Sequence, residues 1–296
     1  MKERKIILIN ISKNDFNYSK IKKYKKKFKI IFAGENNISY DKKNVIAILA
    51  GLEKFNRQEI DKYPNLRIIS RFGTGVDNID LIHAKAKKIL VLKTRHEPVL
   101  PTVELTISLI LLIIRKLYFN IFNLKKKKWI QIQGRNLNSK KIGIIGFGLI
   151  GKSVANILNN FGCKILFCDK KKISYKNYKQ VSLYKILKTS DIICLHSNYT
   201  ADQKNFICTK TLKLMKKNCI LINTSRGGFI NEEDLYKHLK KNKNFFAGFD
   251  CFKNEPYSGK LLNLKNFFGT SHISSNTYES RMAMSKKSFL NIVEKI

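Results

Sequence analysis

A chain of 296 residues is longer than one hydrophobic core usually serves, and its 44% apolar content excludes a disordered polypeptide. The net charge of +37 invites a nucleic-acid reading, yet the lysines lie in short clusters (22–29, 125–128, 170–172) among Asn and Ile, as A/T-rich coding would produce, and aromatics are not interleaved with them in an RNA-binding motif. The longest apolar run, residues 105–114, is about half a bilayer span, and the N-terminus is a poor signal peptide, so the expectation is a soluble, cytoplasmic protein with no nucleic-acid or membrane partner.

Taken in chain order, the β-branched runs KIILIN, VIAILA (45–50), RIIS (67–70) and KILVLK (88–93) predict buried parallel strands. A long apolar helix is expected from Thr102 to about Phe119, begun after Pro101 with Thr102 as its cap. The strand rhythm restarts with KIGIIG (141–146), CKILFCD (163–169), DIICLH (191–196), CILINT (219–224) and FFAGFDC (245–251), each followed by one crossover segment. This pattern predicts an α/β protein of two doubly wound parallel-sheet (Rossmann-like) domains with a cleft between them. The terminal SRMAMSKKSFLNIVEKI has helical spacing and is expected to pack back onto the first domain. The first domain would then be discontinuous, residues 1–97 with 277–296, and the second would span 98–276.

Six cysteines without a C-x-x-C pair sit mostly in apolar runs, which fits reduced, buried thiols and neither a zinc site nor a disulfide framework. No metal is expected.

The run KIGIIGFGLIGKSVANIL carries Gly146, Gly148 and Gly151 in G-x-G-x-x-G spacing, after an apolar strand and before an amphipathic segment. Gly146 permits the tight turn, Gly148 lets backbone approach a pyrophosphate, and Gly151 allows close helix packing with amides facing the phosphate. The next strand ends in Asp169, which can bind a ribose diol and repel a 2′-phosphate. NAD is therefore favoured over NADP, although Lys170–Lys172 weaken that preference.

Beyond this motif the chain resembles the D-isomer-specific 2-hydroxyacid dehydrogenases, especially their phosphoglycerate dehydrogenase branch. The resemblance lies in spaced blocks: NLRIISRFGTGVDNIDL (65–81), GIIGFGLIGKSVA, SDIICLHSNYTADQKNFI (190–207), LINTSRGGFINEEDL (221–235), GFDCFKNEP (248–256) and TSHIS (270–274). It implies that an NAD-binding domain, 98–276, is inserted into the discontinuous substrate-binding domain. By the same resemblance Arg226 grips the substrate carboxylate and polarises its carbonyl, Glu255 orients the catalytic histidine, and His272 is that histidine. The trio suits the chemistry, because reducing a 2-keto acid needs a proton on oxygen as well as a hydride on carbon. Gly73, Thr74 and Gly75 would meet the substrate carboxylate, with Thr74 also reaching the cofactor. Leu149 and Ile150 would lie at the pyrophosphate, Thr224 and Ser225 would line the cofactor cleft, and Asp250 would sit near the nicotinamide amide.

His196 is expected to support the site without taking part in the reaction, and His83, His96 and His238 to lie at the surface. The chain departs from the family pattern at Asn198 and Ser271, where prolines are usual, and in the serines after Ile273, where a glycine is usual. These changes bear on loop geometry more than on reaction class. The resemblance implies 3-phosphoglycerate as leading substrate, with the place in serine biosynthesis that goes with it, and a homodimer built on the 102–119 helix. The alternatives are a glyoxylate/hydroxypyruvate reductase or other 2-hydroxyacid dehydrogenase, and, outside catalysis, an NAD-sensing binding protein or corepressor.

Overall fold

A computed structural model describes residues 4–16, 21–33 and 38–296. The first three residues of the N-terminal run considered above lie outside the described residues. Two compact units divide the chain: Met1–Val99 with Ser275–Ile296, and Leu100–Ser274.

The first unit is built on a five-stranded parallel sheet. Its strands are β1 (Ile6–Ile9), β2 (Lys29–Phe32), β3 (Val45–Ala50), β4 (Ile68–Arg71) and β5 (Leu90–Lys93), in the order β2-β1-β3-β4-β5. β1 and β3 are buried along their whole length, which is why they read as continuous apolar runs instead of alternating ones. Helices α1 (Arg57–Asp61) and α2 (Leu81–Ala86) contribute Ile60 and Ala84 to one core cluster. A second cluster is completed by α9 (Tyr278–Val293), whose Met284, Phe289 and Ile292 pack with Phe16, Phe28 and Phe32. Burying those three α9 side chains stabilises the unit by roughly 5–8 kcal/mol before ordering entropy is counted. Thr277 caps α9 by accepting from the Ser280 N–H at 3.2 Å, and Arg281 pairs with Asp15.

β2 was not among the expected strands. It begins with exposed Lys29, the last residue of a lysine cluster, and only Ile31 and Phe32 are buried, so little of it shows as an apolar run.

The second unit carries a seven-stranded, wholly parallel sheet: β6 (Lys141–Ile145), β7 (Lys164–Cys168), β8 (Lys179–Gln180), β9 (Ile192–Leu195), β10 (Ile220–Asn223), β11 (Phe246–Phe249) and β12 (Phe267–Gly269). The order β12-β11-β10-β9-β6-β7-β8 reverses direction between β6 and β9. Such a reversal sends successive crossovers to opposite faces and leaves a crevice at the carboxyl ends of the two strands. The crossover helices α5 (Leu149–Asn160), α6 (Leu183–Thr189), α7 (Thr209–Leu212) and α8 (Glu232–Lys241) follow this plan. α8 shows how the sequence sets a terminus: Asn231 accepts from the Asp234 N–H, three acids fill the first turn, and His238, Lys240 and Lys241 lie in the last.

The helix expected over 102–119 is instead two helices, α3 (Val99–Ile114) and α4 (Leu117–Lys125), bent by 67°. Lys116 between them takes a left-handed φ of 54°, which ends α3. Thr102 is not a cap; it lies inside α3, where its carbonyl accepts from the Thr106 hydroxyl at 2.7 Å. Pro101 sits in the first turn, where a missing N–H leaves no bond unmade. α3 buries Val103, Leu109, Ile110 and Ile113, whereas α4 buries none of its residues. No single helix among the described residues is long and apolar enough to cross a membrane.

Candidate active site

Most sequence-expected residues of the second unit follow a strand's carboxyl end. Gly146 follows β6, Asp169 follows β7, His196 follows β9, Thr224–Arg226 follow β10, Asp250 follows β11, and His272 lies shortly beyond β12. A parallel sheet brings all these ends to one edge, so residues far apart in sequence become neighbours.

The glycine turn has the geometry its sequence requires. Gly146 holds φ at +93°, and a Cβ there would lie 2.4 Å from the Ser197 amide nitrogen. At Gly151 a Cβ would come within 2.2 Å of the Gly146 carbonyl oxygen, which explains the close seating of α5 on β6. Gly148 differs: a Cβ would meet nothing within 4 Å, so the space beside its backbone is open. Leu149 and Ile150 open α5 immediately after it. Asp169 ties the turn to the next strand, accepting from the Phe147 N–H at 2.8 Å and the Lys171 N–H at 3.0 Å. An open backbone at the head of a twelve-residue helix, beside a carboxylate on the neighbouring strand, fits a dinucleotide pyrophosphate and ribose. Lys170, one of the lysines that could favour a 2′-phosphate, is engaged by Asp202 at 2.8 Å.

Gly146→Ala is expected to destabilise the protein by about 2–3 kcal/mol, because positive φ and a backbone collision act together. A thermal melt of the variant checks this, and an unchanged midpoint would contradict the turn geometry.

The second cluster gathers on β10, β11 and the chain after β12. His272 Nδ1 lies 2.7 Å from Glu255 Oε2, and Glu255 Oε1 accepts from the Phe252 N–H at 2.9 Å. His272 itself adopts a left-handed φ of 54°, an uncommon conformation for a residue other than glycine. Asp250 explains how it is held. This fully buried carboxylate accepts from the Thr270 hydroxyl at 2.6 Å and from the Ile273 and Ser274 N–H groups at 2.8 Å each. Asp250, expected beside the nicotinamide amide, thus has both oxygens engaged on the histidine loop. Those bonds restrain the loop where proline and glycine are missing.

Arg226 is presented by a turn that buried Asn223 organises. The Asn223 side chain donates to the Arg226 carbonyl at 2.9 Å and accepts from the Ser225 N–H and hydroxyl. Gly227 presses this turn onto the Glu255 loop, since a Cβ there would lie 1.9 Å from the Phe252 carbonyl carbon. Thr224 is buried and shares a 2.9 Å hydroxyl bond with Thr106 of α3, so it anchors the turn to the helix.

The electrostatics follow from this arrangement. Burial pushes the Glu255 carboxyl up, but hydrogen bonds from His272 and the Phe252 amide, with the charges of His272 and Arg226, outweigh it and hold Glu255 below its ordinary value. The His272 ring is pushed up to about 10 by side-chain hydrogen bonds with Cys251 and Glu255, which burial only partly offsets. Burial raises the Cys251 thiol, so it stays protonated at neutral pH and the His272 charge leans on Glu255. Cys251 is the member of this cluster that sequence reading missed. Its place directly after Asp250 at a strand's carboxyl end was the available signal.

The remaining candidates separate. Gly73, Thr74 and Gly75 follow β4 in the first unit, where Gly73 holds φ at +136° and donates to the Thr94 hydroxyl at 2.9 Å. His196 has both ring nitrogens buried without a hydrogen-bond partner among the described residues, and burial pulls its pKa down to about 4, so the ring is neutral. Two histidines expected at the surface are largely covered: His83 is paired with Asp61 at 2.8 Å, and His238 packs edge-on against Phe245. His96 is exposed as expected.

Known proteins resemble this chain over most of its length. The family profile for the NAD-binding domain of D-isomer specific 2-hydroxyacid dehydrogenases matches residues 107–274. The hydroxypyruvate reductase of Thermotoga maritima is 35% identical over 258 residues, covering 85% of this chain and 83% of that protein. The D-3-phosphoglycerate dehydrogenase of Methanocaldococcus jannaschii is 34% identical over 248 residues, covering 81% of this chain but 47% of that protein. Among solved structures, a glyoxylate reductase from Paecilomyes thermophila superposes with a TM-score of 0.89 at 26% identity, covering 99% of this chain and 95% of that one.

Proposed function

The chain belongs to the D-isomer-specific 2-hydroxyacid dehydrogenases, NAD-dependent enzymes, and we propose that it interconverts a small 2-keto acid of the hydroxypyruvate or glyoxylate kind with its D-2-hydroxy acid. The observation that carries the reaction is the 2.7 Å His272–Glu255 pair beside Arg226 at the carboxyl edge of the sheet. The substrate preference draws support from relatives named hydroxypyruvate reductase and glyoxylate reductase. A second reading, 3-phosphoglycerate with 3-phosphohydroxypyruvate, draws its support from the archaeal phosphoglycerate dehydrogenase.

In this reading the cofactor, when bound, would supply the hydride in its reduced form or accept it in its oxidised form. Gly146, Gly148, Leu149, Ile150 and Gly151 would seat its pyrophosphate, and Asp169 would take the ribose hydroxyls. Arg226 binds the substrate carboxylate through its planar fork and stabilises negative charge developing on the carbonyl oxygen. His272, protonated in the resting enzyme, gives its proton to that oxygen during reduction and takes it back during oxidation. Glu255 fixes the ring orientation and favours its charged form. Asp250 acts through the backbone of the histidine loop, as a positioning residue. Thr224 and Ser225 shape the turn that carries Arg226. In the first unit, the positive φ at Gly73 suits the loop through Thr74 and Gly75 to an anion-contacting role.

A homodimer forms part of the proposal. Its support is the set of exposed apolar side chains on α4 and just beyond, including Ile121, Leu124 and Trp129, which water would otherwise cover.

The experiment is a panel of 2-keto acids with reduced NAD, followed at the nicotinamide absorbance. Hydroxypyruvate or glyoxylate should give the highest kcat/KM. A preference for 3-phosphohydroxypyruvate would select the second reading, and no turnover with any member would overturn the reaction. The pH profile carries an independent check. Reduction needs protonated His272, so its rate should hold through neutral pH and fall only above the ordinary histidine range, where the Glu255 carboxylate no longer keeps the ring charged. Oxidation needs the neutral ring and should rise over the same range. A reduction rate halved near the ordinary histidine pKa would contradict the role of Glu255.

A further inference from the structure

The proton-transfer pair has a third neighbour that proton transfer does not require. Cys251 is 2% exposed and lies beside His272 in this cluster. The Cys251 Sγ, a carboxylate oxygen of Glu255 and a ring nitrogen of His272 all lie within 4.8 Å of one another. A tetrahedral zinc ion, with bonds of about 2.0–2.3 Å, needs its donors roughly 3.3–3.8 Å apart, so side-chain shifts of about 1 Å close the set. One thiolate, one imidazole and one carboxylate select a zinc-class ion over magnesium or calcium, which prefer oxygen alone. The frame is held from behind by the Asp250 bonds to residues 270, 273 and 274 and by the Phe252 amide on Glu255. The front is open, with the side chains of His272 and Glu255 26% and 32% exposed.

We propose that Cys251, Glu255 and His272 form a three-donor site for a soft divalent cation of the zinc class, and that its occupation reversibly inhibits the enzyme. Three bonds form, from Sγ, the ring nitrogen and the carboxylate oxygen to the metal, and water completes the tetrahedron. The thiol proton and the proton shared by His272 and Glu255 leave to solvent. No electron is transferred. The ring keeps only the proton on its other nitrogen, which a metal-bound neutral imidazole gives up far less readily than imidazolium does, and Glu255 is withdrawn from orienting it. The absence of a C-x-x-C pair, which argues against metal in the sequence, does not bear on this site, because its donors come from two segments, Cys251 and Glu255 after β11 and His272 after β12.

The binding half is independent of the reaction proposed above, and the inhibition half rests on it. The test uses the chelator-treated full chain and cobalt(II) as the spectroscopic probe. One equivalent should bind with a near-ultraviolet thiolate-to-cobalt band, which zinc displaces. Cys251→Ser should lose the band. Glu255→Gln should keep it at saturating cobalt, with apparent Kd raised about tenfold or more, the loss usual even for a ligand's supporting contact. NAD binding by both variants checks that they are folded. No band in the parent protein, or a band unchanged in Cys251→Ser, overturns the site. Zinc should lower turnover of the parent and a chelator should restore it, while Cys251→Ser, measured against its own metal-free rate, should be at least about tenfold less sensitive. A band without effect of zinc on measurable turnover overturns the inhibition. A band in a protein that turns over no keto acid supports the site and counts against the reaction alone.

Discussion

His272→Asn is expected to lower turnover by about 10²–10⁴-fold while NAD affinity is kept. Asparagine is among the few residues that tolerate left-handed backbone, so the φ of 54° at this position is preserved. Its amide can still donate to Glu255, and the Asp250 bonds to the neighbouring residues do not involve the side chain. What the variant loses is a group that can transfer a proton. The measurement is kcat in the reduction direction alongside a fluorescence titration with reduced NAD. Unchanged turnover would remove His272 from the mechanism, and a parallel loss of cofactor affinity would point to a collapsed loop.

Arg226→Gln should lower kcat/KM by about 10²–10³-fold, the loss typical when one preorganised donor to a developing oxyanion is removed. Both kcat and KM should move, because the guanidinium would touch the carboxylate before the transition state and the carbonyl oxygen within it. Arg226→Lys should recover only part of this, since an ammonium cannot bind a carboxylate bidentately. The position is favourable for such a test. Gly227 locks the turn against the Glu255 loop and Asn223 holds it from within, so substituting the side chain should leave the backbone in place. A change confined to KM would restrict Arg226 to substrate binding.

Much of the fold is legible in the sequence because parallel strands buried on both faces become unbroken apolar runs, as in VIAILA and KIGII. The strands that escaped reading are those without such a run: β2 emerges from lysines, β8 is two polar residues, and β12 is a three-residue edge. The break between α3 and α4 was also hidden. Arg115 and Lys116 are ordinary helix formers, and nothing local announces a left-handed residue there. Glycine spacing marks the nucleotide turn because backbone contacts at Gly146 and Gly151 leave no room for a side chain. The Asp250 bonds to residues 270–274 and the approach of Cys251 to His272 depend on the docking of separate strands, which no local pattern encodes. The family motif supplies a role for Asp250 toward the cofactor; its hydrogen bonds to the histidine loop are a further feature that the motif does not disclose.

The packing of α9 into the first unit has a consequence in time. A chain made from its N-terminus completes β1 to β5 first, yet the helix that covers one face of that sheet emerges only after the whole of Leu100–Ser274. At typical synthesis rates of about 5–20 residues per second, those intervening residues take roughly 9–35 s. Throughout that interval the side chains that Met284, Phe289 and Ile292 will later seal, Phe16 and Phe28 among them, lack their final cover. The second unit, continuous in sequence, faces no such wait. The nascent protein therefore carries a finished cofactor domain behind an unfinished partner, and it is the first-made half that most needs shelter from aggregation.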